Sequence, residues 1–444
     1  MPQWLTWSGA LPISHGQRKF GSWHILAQRR FALYFAGSFA SNLGTWVQNT
    51  AQMLLAYKLT HSALAVGAVT CLQFAGFLLL GPWAATLADR IGVRRVLVGS
   101  QIASAAIAAT MAGLQFAGVL SVQLLMAGAL GIGLAFTFAL PLQTAMVPGL
   151  APEADTKAAM AMNSVSYNAG RTVAPVLCVA LFASIGTGWA FALNAISFLV
   201  FTVVIVAVQP AKPGGPGHGA RRDRHAHDWT GLRVALGRPR ILLLLAMVAA
   251  VTIADDPVLV LGPTLAHQVL AVSGVWPAYF LSALGLGTAV GALVPTKPST
   301  SHRAAIPLLA LAISVIVFAA GLTAWLSLVA ALMAGVAGLL TGAAAQALLV
   351  KAAGPRYTTQ VMALWAVAWA GSKPIASVAD GWLAVHVGVF HAAVLLAMPA
   401  LAIGLLERFL RPPAKKYLKQ RIRAFGQSHG AIQAFGDHEP LLHT

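Results

Sequence analysis

Twelve long apolar runs constrain the fold of this 444-residue chain more than any other feature of its sequence. A helix rises about 1.5 Å per residue, so about 20 apolar residues cross the hydrocarbon core of a bilayer. The runs show no ten-residue alternation of the kind found in membrane barrels, and we therefore predict transmembrane helices. They lie near residues 31 to 57, 63 to 88, 96 to 114, 119 to 147, 159 to 184, 187 to 208, 241 to 270, 277 to 296, 305 to 324, 326 to 352, 361 to 384 and 388 to 410.

Composition and charge agree with a protein that crosses a membrane many times. Hydrophobic residues make up 58% of the chain, whereas soluble domains contain roughly 45–50% apolar residues. The net charge of +18 first suggests a nucleic-acid partner, yet 26 of the 29 Lys and Arg fall on one side of the predicted topology. By the positive-inside rule that side is cytoplasmic and holds both termini. We therefore attribute the basicity to topology and to contact with anionic lipid, and expect no nucleic-acid partner.

A segment rich in Pro, Gly and Arg divides the chain into two halves. We predict a cytoplasmic N-terminal segment (1–30), a six-helix bundle (31–208), a cytoplasmic linker (209–240), a second six-helix bundle (241–410) and a basic cytoplasmic tail (411–444). MAMNSVSYNAGR at 160–171 aligns without gaps with MALWAVAWAGSK at 362–373, so the second half repeats the first. The predicted fold class is an all-α membrane protein with twelve transmembrane helices in two pseudo-symmetric bundles, an arrangement suited to alternating access.

Neither the cysteines nor the linker histidines indicate a metal or cofactor. Cys71 and Cys178 lie inside apolar runs and have no metal-ligand spacing. His218, His225 and His227 lie in a charged, flexible-looking linker without fixed geometry, so we interpret them as linker residues rather than as ligands. The first thirty residues lead directly into a full-length run, and no cleavable signal peptide is expected.

Four charged residues lie inside apolar runs at similar depth. Arg171 and Lys373 occur at matching positions of the fifth and eleventh runs, and Asp255 and Asp256 lie in the middle of the seventh. Because a charge in hydrocarbon is costly, we expect these groups to pair near the membrane midplane. They are either a proton-coupling site or a structural ion-pair network that holds helices together. Adjacent residues point about 100° apart on a helix, and we favour Asp256 as the acid that faces the cavity.

Two further residues accompany this charge network. Asp380 follows Lys373 by seven residues and shares its helix face, nearer the outside, where it is either a gate or a partner for polar groups close to the surface. Pro257 removes a backbone donor directly after the two acids and predicts a kink there.

A polar face on the first apolar run predicts a substrate cavity. Its polar residues recur at steps of three and four, with a tryptophan beside them, and such a face must contact protein or a water-filled space. Neutral donors and acceptors around an aromatic ring suit an uncharged or amphiphilic ligand, although helix–helix hydrogen bonding explains any single one of them equally well. The predicted cavity residues are Asn42, Thr45, Trp46, Asn49, Gln52, Asn168 and Gln346, and Gln73, Asn163 and Ser166 extend the polar set.

The second run ends in ATLADRIGVRR, residues 85 to 95, where an acid is followed by three arginines around a glycine. This segment resembles the loop-two signature of the major facilitator superfamily, although Ala85 replaces the usual first glycine. In that family the motif is a conformational latch, so the resemblance implies this role for Asp89, Arg90, Gly92, Arg94 and Arg95.

Further segments resemble one branch of that family, the bacterial drug and siderophore exporters often called transmembrane secretion effectors. The segments are SNLGTWVQNTAQMLLAYKLTHSALAVG (41–67), NSVSYNAGRTVAPVL (163–177) and GWAFALNAISFL (188–199), within a similarity that spans about residues 28 to 205. AGRTVAP also resembles the antiporter motif of the fifth helix, with Ala174 in place of a glycine. The acids of ADDP and the lysine of SKP depart from this branch, where we expect neutral residues.

From these features we predict a secondary transporter in the bacterial inner membrane that exports an amphiphilic small molecule, such as an antibiotic, secondary metabolite or siderophore, in exchange for protons. The alternatives are an importer or uncoupled facilitator of a small metabolite, and a membrane sensor or interaction protein that transports nothing. Since no Walker, nucleophile-elbow or metal-ligand pattern occurs, we expect no enzyme and no cofactor. The expected partners are the substrate, protons and lipid, and the expected state is a monomer.

Overall fold

The computed structural model describes residues 22–208, 230–272, 275–294, 301–354 and 357–410. The N-terminal half contains six long helices. They are α1 (Arg29–Thr60), α2 (Ala63–Ile91), α3 (Val93–Phe116), α4 (Val122–Met146), α5 (Thr156–Ser184) and α6 (Thr187–Ala207). A short 3-10 helix, Ser22–Ala27, precedes them, and two more, Val147–Leu150 and Glu153–Asp155, connect α4 with α5.

The C-terminal half repeats this pattern with six further helices after a short helix at Thr230–Leu236. They are α7 (Pro239–Val260, continued by Gly262–Thr264 and a π-helical turn at Leu265–Val269), α8 (Trp276–Leu293), α9 (Ser301–Ala319), α10 (Ala324–Ala353), α11 (Thr358–Ala366 and Ser372–Val387, joined by a π-helical turn at Val367–Gly371) and α12 (Val389–Leu405, ending in a π-helical turn at Leu406–Leu410).

The predicted fold class is confirmed. The described residues contain no strand, and nine of their helices are long and apolar enough to cross a membrane. The other long helices are α1 and α5, which carry polar faces, and α9, whose described apolar part is shorter. The predicted count of twelve is consistent with this arrangement. Most of the linker with its three histidines, the first 21 residues and the basic tail lie outside the described residues.

Helix boundaries follow local sequence signals. Ser121 and Thr323 accept hydrogen bonds from backbone amides in the first turns of α4 and α10, which satisfies donors that a helix start leaves free. Gly92 has a φ of 97°, a conformation that L side chains rarely adopt, and so it separates α2 from α3 by a single residue. We call the end of the bundle that contains the connection at His61 and Ser62 the α1–α2 end. The opposite end, which contains Gly92, is the α2–α3 end.

The two halves pack closely at the α1–α2 end, where helix backbones approach each other through glycines. A Cβ at Gly67 of α2 would overlap the carbonyl oxygen of Ser377 in α11, and a Cβ at Gly381 would lie 2.7 Å from Cα of Leu64. Such contacts allow dispersion forces to act between backbones without a hydrophobic driving force, as in other membrane helices. The α1–α2 end is therefore closed by α2 and α11.

A third contact closes the same end. The ring of Tyr57, near the end of α1, stacks on His267 in the π-helical turn that follows α7, with centroids 5.3 Å apart. Nearer the centre of the bundle, Thr172 of α5 donates a hydrogen bond of 2.9 Å to the carbonyl oxygen of Gly285 in α8. These contacts join the two halves on the α1–α2 side of the bundle centre.

The substitution Gly67→Ala tests this closure. The added methyl group forces α2 away from Ser377, so we expect a membrane-impermeant maleimide, applied from the α1–α2 side, to label the neighbouring Cys71 several-fold faster in a Cys178→Ala background. The matched control is Gly113→Ala on α3, because a Cβ at Gly113 meets no atom within 4 Å. Equal labelling of the two variants would show that the Gly67 contact does not close this end.

Candidate functional site

A cavity lies between the two halves at the centre of the bundle. About 770 Å³ of space lies between its lining atoms, and this volume includes open solvent. Helices of both halves contribute to its wall, as alternating access requires. Its lining residues are Trp46, Asn49, Thr50, Met53, Thr70, Gln73, Phe74, Tyr167, Arg171, Pro175, Thr252, Asp255, Leu259, Leu281, Leu284, Gly285, Trp369, Ala370 and Lys373.

Lys373 is the centre of the charge network beside this cavity. Its Nζ lies 2.6 Å from an Asp256 carboxylate oxygen, off the line of a well-formed hydrogen bond, and 3.4 Å from Asp255. Arg171 approaches the other oxygen of Asp255 at 3.7 Å. The pairing that depth counting predicts for these four residues is therefore observed, and it joins α5, α7 and α11.

The two adjacent acids have different surroundings. The Asp256 side chain is fully buried, whereas that of Asp255 is 17% exposed and lines the cavity. The preference for Asp256 as the acid that faces the cavity is therefore wrong. Asp255 has two long ionic contacts and access to a ligand, and Asp256 has one short contact and no access. Their separation follows from the 100° step between neighbouring helical residues.

Asp380 belongs to the interior of the same network. It is fully buried, its side chain reaches the carboxyl group of Asp256, and both its oxygens lack a hydrogen-bond donor among the described residues. This burial disagrees with the alternative in which Asp380 partners polar groups close to the surface. Two buried carboxyl groups in contact have no donor between them unless one carries a proton.

Local departures from α-helical geometry lie next to the charged residues. The π-helical turn Val367–Gly371 ends two residues before Lys373. Such turns inside helices are frequent at functional sites. Pro257 lies within α7 directly after Asp256, where it removes one backbone donor. Both features lie at the level of the cavity.

Aromatic rings form much of the cavity wall. The Trp46 and Tyr167 rings meet edge to face at 5.8 Å, and the Arg171 guanidinium lies 5.6 Å from the Trp46 ring centroid. Trp369 stacks on Trp365 at 6.0 Å. Tyr167 and Trp369 are not among the residues predicted from the sequence, although the aligned repeat contains a signal for them. Tyr167 lies four positions before Arg171, and Trp369 lies four positions before Lys373.

The predicted cavity residues divide into two groups. Trp46 and Asn49 line the cavity, and so does Gln73. Four others form hydrogen bonds between or within helices, as the alternative interpretation allows. Between helices, Asn42 donates to Ser166 at 3.1 Å and Gln52 accepts from Gln73 at 2.7 Å. Within helices, Thr45 donates to the carbonyl oxygen of Ser41 at 2.8 Å and Asn168 donates to that of Ser164 at 2.8 Å. Gln346 is half-buried on α10 and does not line the cavity.

The latch residues lie at the α2–α3 end. Arg94 donates hydrogen bonds to the carbonyl oxygens of Ile205 at 3.0 Å and of Val206. These carbonyl groups belong to the last turn of α6, where a cation satisfies acceptors that the helix leaves free. Arg90 and Arg95 are exposed, and the Asp89 side chain lies outside the described part of the structure. Arg94 thus fastens α3 to α6 within one half, and the latch role itself stays a prediction.

The fold and the central cavity define a polytopic helical membrane protein with a site between two similar halves. The sequence model of the Major Facilitator Superfamily matches residues 34–369. The chain belongs to the major facilitator superfamily, and it is a transporter rather than an enzyme. No curated protein matches the sequence.

Solved transporter structures share this fold. A bacterial homolog of the human lysosomal transporter Spinster, inward-facing and unoccupied, has 16% identity and a TM-score of 0.62 over 85% of this chain and 94% of that one. The nucleoside transporter NupG has 11% identity and a TM-score of 0.65 over 84% and 98%. The POT family transporter PepTSo has 15% identity and a TM-score of 0.67 over 88% and 99%. At these identities the likeness concerns the fold alone.

The substitution Lys373→Met tests the energetic role of the central ion pair. It leaves Asp256 buried beside Asp380 without a cation, and removing one partner of a buried pair typically costs about 3–5 kcal/mol. We expect a clear fall in the free energy of unfolding in detergent and a partial recovery in the double variant Lys373→Met/Asp256→Asn. Lys58→Met removes a lysine from an exposed position and is the control. Losses that simply add in the double variant would contradict a direct interaction between Lys373 and Asp256.

Proposed function

We propose that this transporter exports an amphiphilic small molecule from the cytoplasm of a bacterium in exchange for protons, by alternating access in the inner membrane. The α2–α3 end is assigned to the cytoplasm because Arg90, Arg94 and Arg95 lie there, with the N-terminal end of α1 and its Arg29 and Arg30. In this orientation the structure is closed toward the outside by α2 and α11. The family resemblance of the N-terminal half supports the direction of transport.

The charge count of the network is the observation that supports proton coupling. Arg171 and Lys373 supply two positive charges, and Asp255, Asp256 and Asp380 supply up to three negative charges. One proton makes the network neutral, and the contact between Asp256 and Asp380 is where it fits, since these carboxyl groups are buried together without a donor. Like charges in such contact cannot both remain ionised at low cost, as in other carboxylate pairs.

The position of this pair links protonation to closure. Asp256 faces Lys373, Asp255, Ser377 and Asp380, and the thiol of Cys71 on α2 is also near it. Ser377 and the residue after Asp380, Gly381, are two of the α11 positions that contact α2 at the closed end.

Loss of the proton therefore places an uncompensated negative charge directly beneath the contact between α2 and α11. Binding of a proton from outside favours closure, and its release to the cytoplasm weakens it, so protonation and the closed state are linked.

Variants that imitate the neutral carboxyl group test proton coupling. The test compound is one to which deletion of the gene sensitises the host. In vesicles with an imposed pH gradient, we expect Asp256→Asn and Asp380→Asn each to lower accumulation of this compound at least about tenfold, because a fixed neutral side chain cannot exchange a proton. The control Glu153→Gln removes an exposed acid outside the cavity and is expected to behave as the native protein. Wild-type accumulation by both Asp256→Asn and Asp380→Asn would contradict proton coupling through this pair.

A further inference from the structure

From the unequal surroundings of the three carboxyl groups, we infer that Asp255 is the counter-ion of a substrate that carries one positive charge on or beside an aromatic body. This inference rests on the proposed exchange of protons for substrate and names the chemical class of that substrate. It also gives the two neighbouring acids separate roles: Asp255 binds the substrate, and Asp256 holds the proton together with Asp380.

The first argument is the charge balance of the network. With its proton, the set of two cations and three carboxyl groups is neutral, and without it the set has one negative charge. A substrate that replaces the proton restores neutrality only if it has one positive charge. A neutral substrate leaves the negative charge in place, and an anion doubles it, at a depth where an uncompensated charge is costly.

The second argument is the weak hold on Asp255. Its contacts with Lys373 at 3.4 Å and Arg171 at 3.7 Å are longer than a charge-assisted hydrogen bond of about 2.7–2.9 Å. When Asp256 and Asp380 are both ionised, they attract Lys373, which already lies 2.6 Å from Asp256. Proton loss therefore draws Lys373 away from Asp255 and leaves a partly exposed carboxylate in the cavity wall. An organic ammonium group can then form the short bond that Lys373 does not.

The third argument is the aromatic wall around this carboxylate. Trp46, Phe74, Tyr167 and Trp369 line the same cavity as Asp255. The guanidinium of Arg171 already lies over the Trp46 ring at 5.6 Å, which shows that a ring face in this cavity accepts a cation. Aromatic walls also bind a flat apolar body by dispersion and by burial of apolar surface. A cationic head with an aromatic body fits both parts of the site.

Three probes with the same two-ring body and different heads test the inference: 2-naphthylmethylammonium, naphthalene-2-carboxamide and naphthalene-2-carboxylate. Binding to the purified full-length protein is measured by calorimetry. We expect the ammonium to bind at least about tenfold more tightly than the carboxamide, and the carboxylate to bind most weakly. Asp255→Asn should reduce the preference for ammonium to about twofold or less. The control Glu153→Gln should preserve it.

The pH dependence of binding supplies a second readout. Because one proton is replaced by one ammonium group, calorimetry in buffers of different protonation enthalpy should show release of about one proton for each ammonium bound. Asp380→Asn should abolish this release. Asp255→Asn should remove the preference.

The outcomes distinguish this inference from the proposed function. Equal affinity for the three probes, together with transport that depends on Asp256 and Asp380, would overturn the substrate class and leave proton coupling intact. A preference for ammonium without proton release would preserve the substrate class and contradict the coupling. Tighter binding of the carboxylate would assign the ligand to Arg171 and overturn the role of Asp255. If none of the probes binds at millimolar concentration, the aromatic body is wrong.

Discussion

The contact between Lys373 and Asp256 is the interaction on which the rest of the site depends. It places a single buried ammonium group among three carboxyl groups and thereby connects α7 with α11 at the centre of the bundle. A buried ion pair contributes little net stability compared with apolar packing, but removing one partner is costly because the other charge remains buried. A pair of this kind is therefore well suited to a site whose charge must change in a controlled way.

Geometry at the closed end gives this charge a mechanical effect. Gly67 and Gly381 bring α2 and α11 into backbone contact, and Ser377 and Asp380 lie on the part of α11 that makes this contact. Backbone contacts through glycine are short in range, so even a small separation removes most of their dispersion energy. A charge that appears beneath them can therefore shift the balance between closed and open states without a large change elsewhere. The stacked rings of Tyr57 and His267 close the same end and must separate in the same transition.

Much of this site was accessible from the sequence, for identifiable reasons. Apolar length predicted the helices, and depth counting with the internal repeat predicted that Arg171, Lys373 and the two acids would meet, because position along a helix determines depth in a membrane. Rotation about the helix axis was harder to predict. Which of Asp255 and Asp256 faces the cavity depends on how α7 packs against α11, and the burial of Asp380 depends on the close approach of α2. The polar face of α1 was ambiguous because a polar side chain in a membrane helix can bond either to another helix or to water in a cavity. The amide groups of Asn42 and Gln52 bond to other helices.

The central claim is that Asp256 and Asp380 share one proton when the α1–α2 end is closed. Infrared difference spectroscopy tests it most directly, because a protonated carboxyl group has a C=O stretch distinct from that of a carboxylate. The account predicts a protonated-carboxyl band in the native protein that disappears in both Asp256→Asn and Asp380→Asn and persists in the control Glu153→Gln. A spectrum in which neither of the first two substitutions changes this band, or in which only Asp255→Asn removes it, would contradict the account.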